Sequence, residues 1–320
     1  MKAFVTGGAG FVGSNLVGAL IDRGYSVTVY DNLLLGRREF LAPYDSYEGF
    51  RFVEADLLDT ERLDAELSAD TDVVFHLAAN SDISHGASVT DVDLKLGTVA
   101  TYNVLEAMRL KGIDKIVFAS TSAIYGEADE LPTTETYGPL LPISFYGASK
   151  LACEGLIAAF SHNYDIQAWM CRFGNVIGDN GTHGALFDFL TRLIDEPAKL
   201  QILGDGRQAK PYLYVRDLVA GMLFIFDNAT DQVNFFNLAC EGASSVTTIA
   251  EEAIDALGLS DVEIEYTGGA RGWRGDVPQV LLATQKLADL GWKTTYDSDG
   301  AVRVAAQALA AQMRPANTGS

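Results

Sequence analysis

Tyr146 and Lys150 are the two residues of this chain whose types and spacing point most directly to chemistry. They stand four apart in a segment that reads as a helix, so both side chains leave one face. A phenol with its ordinary pKa near ~10 is a poor base at neutral pH. An ammonium about 4 Å away, at an effective dielectric of about 20, favours the phenolate by about 4 kcal/mol, or roughly 3 pKa units. The pair therefore predicts a tyrosine base supported by a lysine cation. A Tyr–Lys pair also occurs on solvated helix faces, so the surrounding elements have to decide between the two.

The N-terminal stretch favours chemistry. Ala3-Phe4-Val5 is a short apolar run of the kind that forms a buried parallel strand, Gly7, Gly8, Gly10 and Gly13 crowd the turn after it, and Phe11 to Leu20 reads as an apolar helix. Gly7 allows the tight turn, Gly10 lets backbone approach a pyrophosphate, and Gly13 lets helix and strand pack closely. The phosphates would sit at the helix start, at Phe11 and Val12, where free N–H groups and the helix dipole favour anions. A second apolar run, Val27 to Tyr30, leads into Asp31 and Asn32, with Asp31 eighteen residues after Gly13. A carboxylate there accepts hydrogen bonds from the adenosine ribose and repels a 2′-phosphate, so the expected cofactor is NAD, not NADP.

Strand-like runs at Phe50–Glu54, Asp72–His76, Lys115–Ala119 and Gln167–Arg172 alternate with helical patterns near Thr60–Leu67, Val89–Leu110 and Tyr146–Asn163. That alternation predicts an α/β fold with a Rossmann doubly wound parallel sheet. The polar and aromatic loop Asn32–Gly49 is either a cover for the adenosine or a surface excursion. After Arg172 the rhythm changes to a glycine-rich loop, Gly174 to Gly184, a helix to about Asp195, and short strands at Leu200–Leu203, Pro211–Val215, Phe235–Leu238 and Val262–Tyr266. An apolar helix through Asp227 and helices near Thr248–Leu257, Thr284–Leu290 and Ala301–Met313 complete the pattern. The expected division is an NAD-binding domain at 1–172, to which 212–236 returns, and a smaller mixed substrate lobe at 173–211 and 237–315, with 316–320 as a tail. Ligand is expected in a cleft outside the carboxyl ends of the strands.

The 320 residues suffice for a sizeable core, and 43 acidic against 23 basic residues leave a net charge of −20 with no basic run. That balance argues against nucleic acid and anionic membranes as partners, and it requires the few cations to be placed locally if the substrate is anionic. Cys153, Cys171 and Cys240 are odd in number, sit in apolar settings and lack metal-ligand spacing, as expected of reduced core thiols. No stretch reads as a leader or an anchor, which places the chain in the cytoplasm as an expectation. His76, His85 and His162 read as structural or solvated, and no metal site is expected.

T-G-G-A-G-F-V-G at 6–13, Asp31, Asp56-Leu57, Leu77-Ala78-Ala79, the Ser120–Tyr125 run and Y-G-A-S-K at 146–150 together resemble the extended short-chain dehydrogenase/reductase family. R-F-G-N-V-I-G at 172–178, G-D-G-R-Q-A-K-P-Y-L-Y-V-R-D-L at 204–218 and R-G-D-V-P at 274–278 resemble its nucleotide-sugar branch. The resemblance implies that Asp56 and Leu57 flank the adenine and that Leu77, Ala78 and Ala79 line the pyrophosphate and ribose. It makes Tyr146 the base, with Lys150 holding the nicotinamide ribose and lowering the tyrosine's pKa. Thr121 would bond the reacting sugar hydroxyl, Phe173 would lie by the nicotinamide, and Asn175 would meet the sugar diphosphate. Lys210 stands where an arginine is common, which keeps the charge and loses the bidentate fork. Arg274 is a second diphosphate candidate, shifted from the commoner pattern, and Gln201 and Tyr212 complete the implied substrate positions.

Members that eliminate water carry Thr-Asp-Glu at this point, whereas this chain follows Thr121 with Ser122-Ala123. A neutral floor leaves room for a ketose to turn over, which argues for 4-epimerisation of a UDP-sugar with NAD as a bound cofactor. Among epimerases the resemblance is to those acting on UDP-glucuronate and UDP-galactose. For a uronate, Ser122, Thr182 and His183 are neutral donors to the carboxylate, and Arg192 is a bidentate candidate or else a helix-surface arginine. The alternatives are an epimerase of a neutral UDP-sugar, a dehydratase or reductase, and a non-catalytic NAD-binding protein. The family also implies a homodimer formed through the helices near Val89–Leu110 and Tyr146–Asn163.

Overall fold

The computed structural model describes residues 1–268 and 280–314, so Arg274, R-G-D-V-P and the expected tail lie outside the described residues. In chain order the first part holds β1 (Lys2–Thr6), α1 (Phe11–Asp22), β2 (Ser26–Asp31), β3 (Phe50–Glu54), α2 (Thr60–Glu66), β4 (Val73–His76), α3 (Ile83–Ser88), α4 (Ala100–Lys111), β5 (Lys115–Thr121), α5 (Phe145–Tyr164) and β6 (Gln167–Phe173). There follow β7 (Asn175–Ile177), α6 (Ala185–Asp195), β8 (Lys199–Ile202), β9 (Ala209–Lys210), β10 (Tyr212–Tyr214), α7 (Val215–Asn228), β11 (Val233–Leu238), β12 (Ser244–Ser245), α8 (Val246–Leu257), β13 (Glu263–Tyr266), α9 (Gln285–Leu290) and α10 (Ser298–Met313).

Two compact units emerge. The first comprises Met1–Phe173, Val219–Leu238 and Leu282–Lys293, and the second comprises Gly174–Leu218 with the described parts of Ala239–Leu281 and Thr294–Ser320. The first is built on a seven-stranded sheet in the order β11-β6-β5-β4-β1-β2-β3, parallel throughout. Its inner strands are almost wholly buried, as expected for strands covered on both faces. Phe4, Val74, Ile116 and Phe118 pack there with Leu63, Val104, Met108, Cys153 and Ile157 from α2, α4 and α5. The second unit pairs β7 with β10, β9 with β12 and β8 with β13. Its α10 buries Ala301, Val302, Ala305, Ala306 and Leu309, one helical stripe.

Two expectations need refinement. The boundary expected after residue 236 falls after Leu238: as β11, Phe235–Leu238 belongs whole to the edge strand beside β6, with Leu238 opposite Phe173. The helix expected near Val89–Leu110 is present with one departure: a π-helical turn, Leu94–Val99, widens it before running straight on into α4. The widened turn has a local cause. A Cβ on Gly97 would lie 2.1 Å from the Ser149 hydroxyl of α5, which donates to the Asp93 carbonyl at 2.7 Å. A carbonyl freed from the helical ladder is thus satisfied by the neighbouring helix.

Among the described residues no helix is long and apolar enough to cross a membrane, and no group of three His, Cys, Asp or Glu side chains could hold a metal ion. The three cysteines are free and buried.

Candidate active site

β5 ends at Thr121, and the chain turns at once into a 3₁₀ turn, Ser122–Tyr125. The Thr121 hydroxyl accepts the Ala123 N–H at 3.2 Å and stands close enough to the Tyr146 phenol to favour its ionised form. α5 begins beside it, capped by Ser144, whose hydroxyl accepts the Gly147 N–H at 3.0 Å. A Cβ on Gly147 would lie 2.6 Å from the Ala123 carbonyl, so only glycine lets the first turn of α5 come this near. Thr121, Ser122, Tyr146 and Lys150 are therefore brought together at the carboxyl end of β5.

The electrostatics of the pair differ from expectation. Burial pushes the half-buried Tyr146 phenol up to about 12, with the Thr121 hydroxyl working against it and Asp93 and Cys153 adding to the rise. Burial also pushes Lys150, only 3% exposed, down to about 8, with Cys153, Glu154 and Asp93 pulling it back. The lysine does not lower the tyrosine in the protein alone. Its Nζ donates to the Ala119 carbonyl at 2.6 Å and lies 4.6 Å from the Phe118 ring centroid and 6.0 Å from that of Tyr146. Loss of hydration outweighs the cation at that distance.

A stability test follows from Lys150. Between about 8 and its ordinary 10.5 the unfolded chain holds the proton and the folded chain has released it, so this group makes stability rise with pH across that window. Below it the fold bears a cost of about 3 kcal/mol for the buried ammonium. Lys150→Met is expected to be more stable than the parent at pH 7, by up to about 3 kcal/mol less the lost hydrogen bond to Ala119. The margin should shrink towards pH 10. Urea titrations at the two pH values check this, and a margin that does not change with pH refutes the assignment.

The dinucleotide end lies in the same unit. Gly7 has φ +69°, and a Cβ on it would stand 2.6 Å from the Ala78 N, which holds the turn against Leu77 and Ala78 after β4. α1 starts from Gly10 with no side-chain cap and no acid in its first turn, leaving the N–H groups at Phe11 and Val12 without a side-chain acceptor. Around Gly10 only the Gly7 carbonyl lies near an added Cβ, at 3.2 Å. These features fit a pyrophosphate. Asp31, at the end of β2, accepts the Ala9 N–H at 2.9 Å and the Leu33 N–H at 2.8 Å, and burial raises its pKa. Asn32 donates to Asp56 at 3.0 Å, whereas Leu57 points into the core and offers only its backbone. Leu77, Ala78, Ala79 and Phe173 are half-buried. The loop after Asn32 is anchored on α1 and the glycine turn: Arg37 N–H donates to the Ala9 carbonyl at 2.9 Å, and an added Cβ on Gly18 would meet the Tyr44 hydroxyl at 2.3 Å.

His76 is fully buried between Thr6, at 2.6 Å, and Thr101, at 2.9 Å, and burial drives it down to about 3, so it is a neutral structural residue.

The remaining substrate candidates lie in the second unit. Asn175 on β7 donates to the Pro211 carbonyl at 3.2 Å. Thr182 and His183 pair at 3.2 Å, and Arg192, exposed on α6, donates to the Gln201 carbonyl at 3.2 Å. Lys210 on β9 stands opposite Ser244, and the Tyr212 N–H donates to Ser298 Oγ at 3.1 Å.

Sequence reasoning missed a buried polar cluster behind Tyr146 and Lys150. Arg172 on β6 binds the Glu154 carboxylate of α5 through two N–H groups, at 3.0 and 2.8 Å, and donates to Tyr125 and the Glu135 carbonyl at 2.9 Å each. Tyr125 in turn donates to Asn237 of β11 at 2.7 Å. The signal was there: Glu154 continues the four-residue spacing of Tyr146 and Lys150 on one face.

The model of the NAD dependent epimerase/dehydratase family matches residues 3–239. A UDP-glucose 4-epimerase of Corynebacterium glutamicum is 31% identical over 312 residues, covering 91% of this chain and 90% of its own. A crystal structure of a UDP-galactose 4-epimerase shares 37% identity at a TM-score of 0.86, covering 98% of this chain and all of its own. The Thermus thermophilus UDP-glucose 4-epimerase in complex with NAD shares 27% at 0.83, covering 96% and 98%. Fold and family match together define an NAD-binding α/β enzyme of the short-chain dehydrogenase/reductase kind. The chain belongs to the NAD dependent epimerase/dehydratase family. NAD is its cofactor.

Proposed function

We propose that the chain is a UDP-sugar 4-epimerase and that its substrate is UDP-glucuronate, converted to UDP-galacturonate through a transient 4-keto sugar. The observation that carries the reaction type is the neighbouring Thr121 and Tyr146 side chains, followed by a turn, Ser122–Tyr125, without a carboxylate. Elimination of water needs an added acid and base beside the tyrosine; epimerisation needs a proton moved only at the C4 oxygen. Tyr146 takes that proton and returns it, Thr121 orients the hydroxyl, and Lys150, a cation below about 8, adds positive charge beside the phenol. Bound in its oxidised form, NAD supplies a hydride acceptor for C4 and a positive charge that favours the phenolate.

Support for the uronate comes from the resemblance to UDP-glucuronate 4-epimerases, that of moenomycin biosynthesis among them. Ser122, Thr182 and His183 are neutral donors, and the Arg192 guanidinium has donors beyond the one given to Gln201. The neutral-sugar reading is favoured by the relatives, which are named for UDP-glucose and UDP-galactose. A homodimer is supported by apolar side chains exposed at Leu94, Val99, Tyr102, Leu110 and Tyr164.

Purified protein incubated with UDP-glucuronate and, separately, UDP-glucose, with products separated by chromatography, tests the reading. UDP-galacturonate is expected at a rate at least about tenfold that of any UDP-galactose. Arg192→Ala should lower kcat/KM for the uronate about 10–100-fold, the size of a lost charged hydrogen bond. UDP-galactose alone moves the enzyme to neutral sugars, and no conversion of either leaves a non-catalytic NAD-binding protein.

A further inference from the structure

Three consecutive residues of β5 each meet one side chain of α5. The Ala119 carbonyl accepts Lys150 Nζ at 2.6 Å, the Ser120 hydroxyl donates to Glu154 Oε1 at 2.5 Å, and the Thr121 hydroxyl stands beside the Tyr146 phenol. On the helix these partners are spaced by four, so they rise along one face over about two turns. Two of the three are the catalytic pair. The third, Glu154, touches no expected substrate or cofactor position.

Glu154 is also the most firmly held of the three. Besides Ser120 it takes two N–H groups from Arg172, whose own strand, β6, pairs with β5 so that Arg172 lies opposite Ser120. Both members of the ion pair are 6% exposed. The remaining Arg172 donor is spent on Tyr125 and the Glu135 carbonyl, and the guanidinium lies 5.2 Å from the Tyr125 ring centroid and 5.1 Å from that of Phe235. A planar fork locked in this way has one orientation. Buried ion pairs are seldom better for stability than apolar residues of equal volume. What this one adds is direction: a helix resting on β5 through apolar side chains alone could slide or rotate slightly, and a bidentate clamp cannot.

We propose that Glu154, clamped by Arg172, is a positioning residue of the active site: it fixes the register of α5 on β5 and thereby sets where the Tyr146 phenol and the Lys150 ammonium stand relative to Thr121. This rests on reading Tyr146 as the base. The charged and titratable groups facing the pair are Asp93 before the π-helical turn, His76 on β4, and Cys153 and Glu154 on α5 itself. Arg172 and Tyr125 face Glu154 from the other side.

The test uses the NAD-loaded protein well below its melting temperature. Glu154→Gln keeps the reach and removes the charge; Glu154→Asp keeps the charge and shortens the reach. The double variant Glu154→Leu/Arg172→Met replaces the pair by apolar volume, so that it folds even where a single substitution strands a charge. One readout is the split between kcat and KM. The other, independent of any sugar, is the ionisation of Tyr146 by ultraviolet difference titration against Tyr146→Phe. In the double variant NAD affinity and KM should stay within about threefold, kcat should fall at least about 30-fold, and the Tyr146 titration should move by about one pH unit or more. Glu154→Asp should show the same displacement in smaller measure. An unchanged kcat and an unchanged titration in a folded variant overturn the inference and leave the pair a purely structural one. If the parent turns over neither sugar, the functional reading fails, while the titration still decides this one.

Discussion

Tyr146→Phe should reduce kcat by about 10²–10⁴-fold, the range of a lost general acid–base residue, while the protein folds and binds NAD as before. The substitution removes one oxygen from a half-buried ring and leaves the ring's packing in place. Thr121 keeps the Ala123 N–H, and the cap of α5 at Ser144 is untouched. The change in stability should therefore stay within about 1–2 kcal/mol, the value of one hydrogen bond. Steady-state kinetics together with a thermal melt and a measurement of bound NAD separate the terms. Normal turnover would exclude the phenol as base. A loss of turnover together with a loss of NAD would mean that the hydroxyl mainly holds the cofactor.

Gly13→Ala is expected to weaken NAD binding by at least about 100-fold and to destabilise the fold by about 1–3 kcal/mol, the usual cost of overpacking. A Cβ on Gly13 would stand 2.1 Å from the Gly7 carbonyl oxygen and 2.7 Å from the Gly8 Cα, both of them backbone. The turn has no room to yield, because Gly7 is itself wedged against Ala78 in a left-handed conformation. Whatever gives way moves the N–H groups that should receive the pyrophosphate. Gly155→Ala, on α5 with nothing within 4 Å of an added Cβ, is the control and should be neutral or slightly stabilising. Calorimetric titration with NAD of both variants provides the comparison, and a Gly13→Ala protein with parental affinity would remove the glycine turn from the binding site.

The readable and the unreadable parts of this chain differ in what each depended on. Phe50–Glu54 forms a strand with the boundaries its composition predicts, since a short apolar run between polar turns has few other uses. The glycine turn after β1 was legible because local backbone chemistry demands that residue type there, and the helix that carries Tyr146 and Lys150 because its apolar pattern is long. The π-helical turn at Leu94–Val99 was not, because the apolar pattern runs on across it and its cause, Ser149, lies in another helix. The far end of β11 was placed two residues short because a four-residue run, Phe235–Leu238, cannot name the strand it will pair with. The direction of the Tyr146 shift was missed for a different reason: charge spacing can be counted along a sequence, but loss of hydration needs the surrounding atoms. Glu154 and Arg172 stayed hidden because each alone reads as a surface charge, and only the sheet brings them face to face.

Asp31 is commonly valued as a selector, yet here it is also a brace. Its two carboxylate oxygens tie the glycine turn, through Ala9, to the segment that leaves β2, through Leu33. Anyone redesigning this enzyme to use a phosphorylated dinucleotide would begin by removing that acid, and in doing so would leave the buried Ala9 N–H and the half-buried Leu33 N–H without their acceptor. If Asp31 meets the adenosine ribose as its place at the end of β2 suggests, cofactor preference and the stiffness of the glycine turn share one side chain. An altered preference would have to be engineered as a loop replacement, with new acceptors for both N–H groups, and not as a point change.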